Sequence, residues 1–563
     1  MGRSVMLSYV SGASDQPLLY QTVGATLEHA AERWPTRDAL IIPQQNIRWS
    51  WRQLNDEADR LARGFLSLGL KPGDRIGIWA PNRVEWVVTQ FASAKAGLIL
   101  VTINPAYRVS ELEAALNKVA ASALVLAPSF RSSNYVEMIR QLAPELGTGG
   151  AEDLKLARLP HLRSLVLMGD EVVPGFIAYN SLLRDADASD DLQQLATQLQ
   201  PEDPINIQFT SGTTGLPKGA TLTHHNIVNN GYFVARRQLL TEHDRVCIPV
   251  PLYHCFGMGM GVLGCTTHGA AMIFPGEGFD PLAVLEAVDR ERCTALYGVP
   301  TMFIAELDHP EFDSYNLRSL RTGIMAGAPC PVEIMKRVVA QMHMREITIC
   351  MGTTEMSPIT FQTEPDDTLE RRVSTVGTIH PHVEAKIVDT NGRVVPLGVR
   401  GELLTRGYGL MQGYWEEPQK TAETIDQDGW MHTGDLVILD EAGYLKVVGR
   451  SKDLIIRGGE NISPREIEDF LYQHPKIQEV QVFGVPDQRL GEIVAAWIKL
   501  KPDVECTVEE VQHYCRDNIS HHKVPKHVCF VTEIPMTVTG KPQKHIMRKT
   551  MVEKLGLQED RAA

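Results

Sequence analysis

Ile205-Asn-Ile-Gln-Phe-Thr-Ser-Gly-Thr-Thr-Gly-Leu-Pro-Lys-Gly219 joins an apolar alternation to a loop of glycines and hydroxyls that ends in one lysine. Ile205, Ile207 and Phe209 recur at period two and predict a strand. The loop that follows suits phosphate. Gly212 and Gly215 let backbone N–H groups turn toward an anion, the hydroxyls of Thr210, Ser211, Thr213 and Thr214 donate further hydrogen bonds, and Lys218 adds a point charge. A P-loop would need glycine where Pro217 stands and a hydroxyl where Gly219 stands, so kinase and GTPase chemistry is disfavoured. The competing reading is a solvated Ser/Thr/Gly surface loop.

Around this stretch lie 563 residues, too many for one core, with 43% hydrophobic and 22% charged content of an ordinary globular protein. A formal charge of -14 disfavours nucleic acid, which is bound through clustered Lys and Arg. The nine cysteines are scattered, with no C-x-x-C pair and no zinc-type Cys/His spacing, as expected of reduced thiols in a cytoplasmic protein. No stretch approaches a membrane span, and the N-terminus lacks a secretory apolar segment. A weak peripheral association with a membrane stays compatible with the sequence.

Short apolar runs alternate with amphipathic ones on both sides of the loop. Ile76 to Ala80, Leu98 to Ile103 and Ala123 to Ala127 read as strands, with Val84, Val87, Val88 and Phe91 at helical spacing between the first two. Ala270 to Phe274 and Cys293 to Val299 read as strands flanking a helix that Asp280 and Pro281 open. Such alternation predicts βαβ units and a parallel sheet. Gly147 to Gly150 and Arg184 to Pro204 read as surface excursions. After residue 380 the pattern changes: Val383, Ala385 and Ile387 alternate, Asn391-Gly392 supplies a turn, and Val394-Val395 restarts a strand. From about Arg450 an α+β unit is predicted, with strands at Leu454 to Ile456, Glu479 to Phe483 and Ala495 to Leu500. Its helices run from Pro464 to Tyr472 and from a capping box at Thr507 to Glu510.

Four further motifs lie at the edges of these units. Gly352-Thr-Thr-Glu355 follows the apolar Ile347 to Cys350, which puts a carboxylate suited to nucleotide-bound Mg²⁺ at a strand's C-terminal end. Trp430-Met-His-Thr-Gly-Asp435 offers a carboxylate to the two hydroxyls of a ribose. Gly449-Arg-Ser-Lys-Asp-Leu-Ile-Ile-Arg-Gly-Gly459 sets charges and a glycine pair at the junction, and Pro535-Met-Thr-Val-Thr-Gly-Lys541 ends in a lone lysine. Each alone reads equally well as a turn or an exposed loop.

In this order and spacing the motifs resemble the adenylate-forming superfamily of AMP-binding acyl-CoA synthetases, and within it the medium-chain branch. The closer likeness rests on Gln208 to Gly215, Thr223-His-His-Asn-Ile-Val-Asn-Asn230, Pro251-Leu-Tyr-His-Cys255, Pro300-Thr-Met-Phe303, Gly413-Tyr-Trp415, Pro418-Gln-Lys-Thr421 and Gly449 to Ile462. It spans about residues 20 to 550.

The resemblance implies an α/β fold: a large N-terminal domain, 1–450, of α/β subdomains plus a β-barrel-like part, and a small mobile α+β domain, 451–563. It implies that Thr210 to Lys218 hold the ATP triphosphate, that Gly327-Ala328-Pro329 line the adenine, and that Met351, Gly352, Thr353, Thr354 and Glu355 lie by the nucleotide, with Glu355 at Mg²⁺. Asp435 and Arg450 match the ribose pair, Lys452 the hinge, Gly458 and Gly459 the CoA tunnel, and Lys541 the adenylation lysine. Tyr253, His254 and Met325 fall in the acyl pocket, where His254 reads equally as a packed core histidine. One residue departs from the pattern: Met351 replaces an aromatic that stacks on adenine, and a thioether offers less stacking area.

The implied reaction joins a carboxylic acid, ATP and CoA in two steps through an acyl-adenylate. Methionines and Phe256 in Cys255-Phe-Gly-Met-Gly-Met-Gly261, with Met325 and Met356, suggest an apolar cavity for a medium or long aliphatic acid. Rivals are an adenylating enzyme that feeds a carrier protein, luciferase-like oxygenation, and a non-catalytic sensor. A homodimer is compatible with the class.

Overall fold

The Pro204–Thr210 strand lies inside an eight-stranded sheet, where it pairs in parallel with Ile99–Thr102 and antiparallel with Lys218–Thr223. The computed structural model describes residues 6–146, 154–184, 191–210, 217–328, 330–457, 460–516, 518–537 and 540–557. The strand order is Ile177–Ala178, Ser164–Leu167, Ala123–Leu126, Arg75–Trp79, Ile99–Thr102, Pro204–Thr210, Lys218–Thr223 and Gly413–Tyr414. Pairing is parallel up to Pro204–Thr210, as βαβ crossovers require, and antiparallel beyond it. Helices cover both faces, so Asn206 and Gln208 are buried as deeply as Ile205 and Ile207. Inside, the Asn206 amide N–H donates to Leu100 O at 2.9 Å and the Gln208 amide N–H to Met258 Sδ at 3.2 Å, while Asn206 Oδ1 is left without a partner among the described residues.

A second sheet of nine strands carries the 346–352 strand. Its central members Asp38–Ile42, Ala271–Ile273, Arg245–Cys247, Ala295–Gly298, Thr322–Met325 and Glu346–Gly352 are parallel. Between two of them the helix Pro281–Glu291 starts as its sequence dictates: Asp280 Oδ1 accepts from Ala283 N at 3.0 Å and Pro281 occupies the first turn.

Residues 383–450 supply four strands of an antiparallel five-stranded sheet, with Tyr9–Ser11 at its edge, in the order Tyr9–Ser11, Val383–Val388, Gly401–Gly407, Met431–Leu439, Leu445–Arg450. This sheet stands where the sequence implies a barrel-like part. The strand expected at Val394-Val395 reduces to isolated bridges, Val394 to Val388 and Pro396 to Leu7. The 184–204 excursion is not all surface. Where it is described it holds the short helix Asp191–Ala196, and Leu192 is buried.

From Ile455 onward the chain builds its own apolar interior. Gly491–Leu500 is central, flanked by Ile477–Asp487, Ile455–Arg457 and the parallel His527–Phe530. Strand periodicity sorts its side chains. Val494, Ala496 and Ile498 face the helices Pro464–Leu471 and Val508–Arg516, while Ile493, Ala495 and Trp497 face Lys544–Leu555. All nine cysteines are free and seven are buried. Among the described residues, no helix is long and apolar enough to cross a membrane.

Candidate active site

Thr210 and Lys218 face each other across the hairpin whose tip is the glycine and hydroxyl loop, and Thr210 Oγ1 contacts Lys218 O at 3.5 Å. Ser211, Gly212, Thr213, Thr214 and Gly215 lie outside the described residues, as do Pro329, Gly458 and Gly459. The exit from the loop is clamped. Lys118 Nζ donates to Pro217 O at 2.8 Å and to Glu417 Oε2 at 2.6 Å.

A short segment, 411–415, ties this hairpin to Glu355. Trp415 N–H donates to Gly219 O at 2.8 Å and Gln412 N–H to Thr221 O at 3.0 Å, which holds the segment on the hairpin. In the other direction Met411 N–H donates to Glu355 O at 2.8 Å, and the Tyr414 hydroxyl donates to Glu355 Oε1 at 2.7 Å. Lys218 Nζ lies 4.6 Å over the Tyr414 ring. Burial and the Glu355 carboxylate push the Tyr414 phenol up, so it stays a donor at neutral pH.

Gly352 ends its strand against the turn beyond. A Cβ there would sit 1.8 Å from Pro358 O, so only glycine lets the two backbones meet. Thr353 N–H donates to that same oxygen at 2.9 Å. Thr354 Oγ1 lies 3.9 Å from Cys255 Sγ, which brings the 251–255 segment to the strand end. Met351 is half-buried in the ladder opposite Phe361, and its carbonyl accepts from Thr360 Oγ1 at 3.4 Å. Gly327 adopts φ +89, a left-handed conformation suited to glycine, beside Ala328.

Asp435 and Arg450 are register partners across the last two strands of the five-stranded sheet, and Arg450 Nε donates to Asp435 Oδ1 at 2.8 Å. Burial pushes the Asp435 carboxyl up and the guanidinium opposes that shift. The strand ends at Arg450, and Lys452, two residues on, is within electrostatic reach of Arg450, Asp453, Asp435 and Lys218.

The Lys541 turn comes from the other unit and reaches this site. Thr537 N–H donates to Lys541 O at 2.8 Å and Lys541 N–H to Thr537 Oγ1 at 2.9 Å, closing the turn. Gly540 in it, at φ +75, abuts Val299: a Cβ would lie 2.7 Å from Val299 Cγ2. The lysine's charge is felt by His254 and Cys255. Burial, with help from Lys541, pushes His254 down to about 3, while burial pushes the Cys255 thiol up to about 11 against the pull of the same lysine. His254 is therefore neutral, and its Nδ1 accepts from Phe256 N–H at 3.2 Å.

Beyond His254 the apolar run folds as a buried π-helix, Phe256–Leu263, packed on the helix His224–Arg237. Gly231 brings the two together, since a Cβ there would lie 2.9 Å from Gly259 O. A Cβ on the buried Gly259, by contrast, would meet no described heavy atom within 4 Å apart from its chain neighbours Met258 and Met260 and the backbone of its own helix. There is open room there. Met325 lies in the core of the second sheet and is fully buried. The structure thus gathers Lys218, Thr354, Glu355, His254 and Lys541 about one end of the two parallel sheets. Sequence reasoning missed Tyr414 and Lys118. The Gly413-Tyr-Trp415 triplet was the available signal for the first, and nothing local marks the second.

Residues 27–415 match the model of the AMP-binding enzyme family, and residues 466–541 match that of the AMP-binding enzyme C-terminal domain. The chain belongs to the AMP-binding enzyme family. This family member is 49% identical over 555 residues to the medium-chain acyl-CoA ligase ACSF2, mitochondrial, of Danio rerio, covering 98% of this chain and 91% of that protein. Its fold is similar to that of the anthranilate CoA ligase AuaEII, solved with anthranoyl-AMP (TM-score 0.85, 28% identity, 96% of this chain and 99% of that one). It is likewise similar to a fatty acyl CoA synthetase of Mycobacterium tuberculosis (TM-score 0.71, 26% identity, 95% and 99% covered). This AMP-binding enzyme shares with them the adenylate-forming fold, with a large N-terminal part and a small C-terminal one.

Proposed function

We propose that this chain is an AMP-forming acyl-CoA ligase for a medium- or long-chain aliphatic acid, divided into an N-terminal domain at 1–450 and a mobile C-terminal domain at 451–563. The observation that carries the reading is the Lys541 turn seated on Val299, with its charge on His254 and Cys255, at the same end of the fold as Lys218 and Glu355. One cation from each unit converges on one centre.

The chemistry is charge neutralisation and alignment. A carboxylate oxygen bonds to the α-phosphorus of ATP while the bond to pyrophosphate breaks; the CoA thiolate then bonds to the acyl carbon and AMP leaves. Both partners of the first step are anions, so lysines serve where a general base would not. In this reading Lys218 and the loop hold the leaving pyrophosphate, Lys541 lies at the α-phosphate, and Asp435 with Arg450 reads the ribose. The Glu355 carboxylate and Thr354 hydroxyl form an all-oxygen donor set that suits Mg²⁺, which when bound neutralises phosphate charge. Neutral His254 adds no charge beside Lys541, and the room next to Gly259 suits an apolar chain.

A single turn of chain cannot serve both half-reactions from one face. The small domain therefore swings about Lys452, bringing Gly458 and Gly459 to the acyl group for the CoA step. A cytoplasmic location accords with nine unpaired cysteines, though the Danio rerio relative bears a mitochondrial name.

Pyrophosphate release with carboxylic acids of graded chain length, with and without CoA, tests the reading. Release driven by aliphatic acids, with AMP and acyl-CoA formed when CoA is added, is the expected result. Adenylate that accumulates unchanged in CoA and transfers only to a carrier protein would overturn it.

A further inference from the structure

We propose that His474, Cys506 and Glu510 form a Zn²⁺-binding site on the small C-terminal unit, apart from the ligase centre. Among the described residues this is the one group of three His, Cys, Asp or Glu side chains whose ligand atoms all lie within 4.8 Å of one another. It combines a thiol, an imidazole and a carboxylate, the donor set that Zn²⁺ takes.

The three are placed by separate pieces of structure. His474 follows the helix Pro464–Leu471, is 4% exposed, and is fixed by its N–H on Leu471 O at 3.0 Å and by the edge of Tyr514 at 4.7 Å. Cys506 and Glu510 stand four residues apart at the start of the helix Val508–Arg516, where Thr507 Oγ1 accepts from Glu510 N–H at 3.2 Å. Cys506 precedes the helix and Glu510 lies in its first turn, and their ligand atoms are within 4.8 Å of each other. Tetrahedral Zn²⁺ holds S, N and O ligands roughly 3.3–3.6 Å apart, so closure requires about 1 Å of side-chain movement. Cys506 and Glu510 have that freedom, since neither is fully buried.

A cation already sits there. Lys476 Nζ lies 2.7 Å from Glu510 Oε1 and 3.0 Å from Oε2, and the Lys476 N–H makes a long contact of 3.3 Å to His474 Nδ1. Both are contacts that an ion would replace. On binding, the Cys506 S–H proton passes to solvent, a sulfur–zinc bond forms, and the ammonium of Lys476 swings outward; no electrons are transferred. Water fills the fourth position. The ion would fasten the start of one helix to the end of another on the same face of the small sheet.

Zn²⁺ titrated into the full chain against a chromophoric chelator tests this, with Co²⁺ as a spectroscopic substitute. The expected result is a zinc equivalent lost in both Cys506→Ser and His474→Gln, and a thiolate-to-cobalt charge-transfer band lost in Cys506→Ser. Saturating Zn²⁺ should shield Cys506 from alkylation and leave Cys529, the other cysteine that is not buried, unprotected. Lys476→Ala should tighten binding about 1.5- to 5-fold, the worth of an exposed ion pair. Pyrophosphate release retained by the variants shows that they fold. Equal zinc binding by the parent and both ligand variants, or unchanged alkylation of Cys506, would overturn the site.

Discussion

The Tyr414 phenol donates to Glu355 Oε1 at 2.7 Å while its ring lies 4.6 Å beneath Lys218 Nζ, so one side chain touches both the lysine proposed for phosphate and the glutamate proposed for Mg²⁺. Tyr414→Phe keeps the ring and removes the hydroxyl. A hydrogen bond to a carboxylate is worth about 1.5–3 kcal/mol, so adenylation should fall about tenfold or more and need more Mg²⁺. Pyrophosphate release measured against Mg²⁺ concentration checks it; an unchanged Mg²⁺ requirement would remove Tyr414 from the site.

Through Pro217 O and Glu417, Lys118 fastens the exit of the loop proposed to hold phosphate. Lys118→Met should loosen the loop and raise the KM for ATP about fivefold, the equivalent of about 1 kcal/mol, with little change in melting temperature. An altered Tm with an unaltered KM would assign the pair to stability alone.

The open room at Gly259 lies inside a buried π-helix. Gly259→Ala adds a Cβ that meets no described heavy atom beyond its chain neighbours and its own helix backbone, so folding should be preserved. Acid preference should move toward shorter chains, read as the ratio of kcat/KM between a long and a short acid. If that ratio is the same as the parent's, the acyl group lies elsewhere.

Gly540 approaches Val299 too closely for any side chain and holds φ +75. Gly540→Ala should impair docking of the Lys541 turn and slow adenylation about fivefold or more, since strain of about 1–3 kcal/mol is expected at such a position. Lys541→Ala should abolish adenylation, and both variants should still convert a supplied acyl-adenylate and CoA to thioester. Equal loss of both half-reactions would end the proposed division of labour.

His224 is 1% exposed, accepts from Val23 N–H at 3.0 Å, and is pushed down to about 3 by burial. Below pH 6.5 the unfolded chain takes up a proton that the native state refuses, so stability is lost as pH falls from about 6.5 toward 3. This group contributes about 1.4 kcal/mol per pH unit across that window. Urea unfolding at pH 7, 6 and 5 should show the decline, and His224→Gln should lessen it; identical slopes would mean that His224 is already charged in the native state.

What could be read locally was read well. The 205–209 alternation, the Asp280 cap and the small-unit strands all depend on neighbours a few residues away. Tyr414 and Glu355 are 59 positions apart and Lys118 and Pro217 are 99 apart, so their bonds exist only once sheets are assembled. The run from Phe256 to Leu263 showed its apolarity but not its π-helical winding, which follows from close packing on Gly231. Met351 was visible as a departure, and its half-buried place in the ladder gives it a neighbour in Phe361 rather than a reason.

Arg450 closes a strand that is in register with Asp435 and stops two residues before Lys452. In the proposed cycle the same few residues are thus both fingertip and axle. A sugar leaving its grip frees the pivot, and a turning pivot pulls on the grip, so departure of the spent nucleotide and resetting of the small domain would be one motion timed by a single piece of backbone.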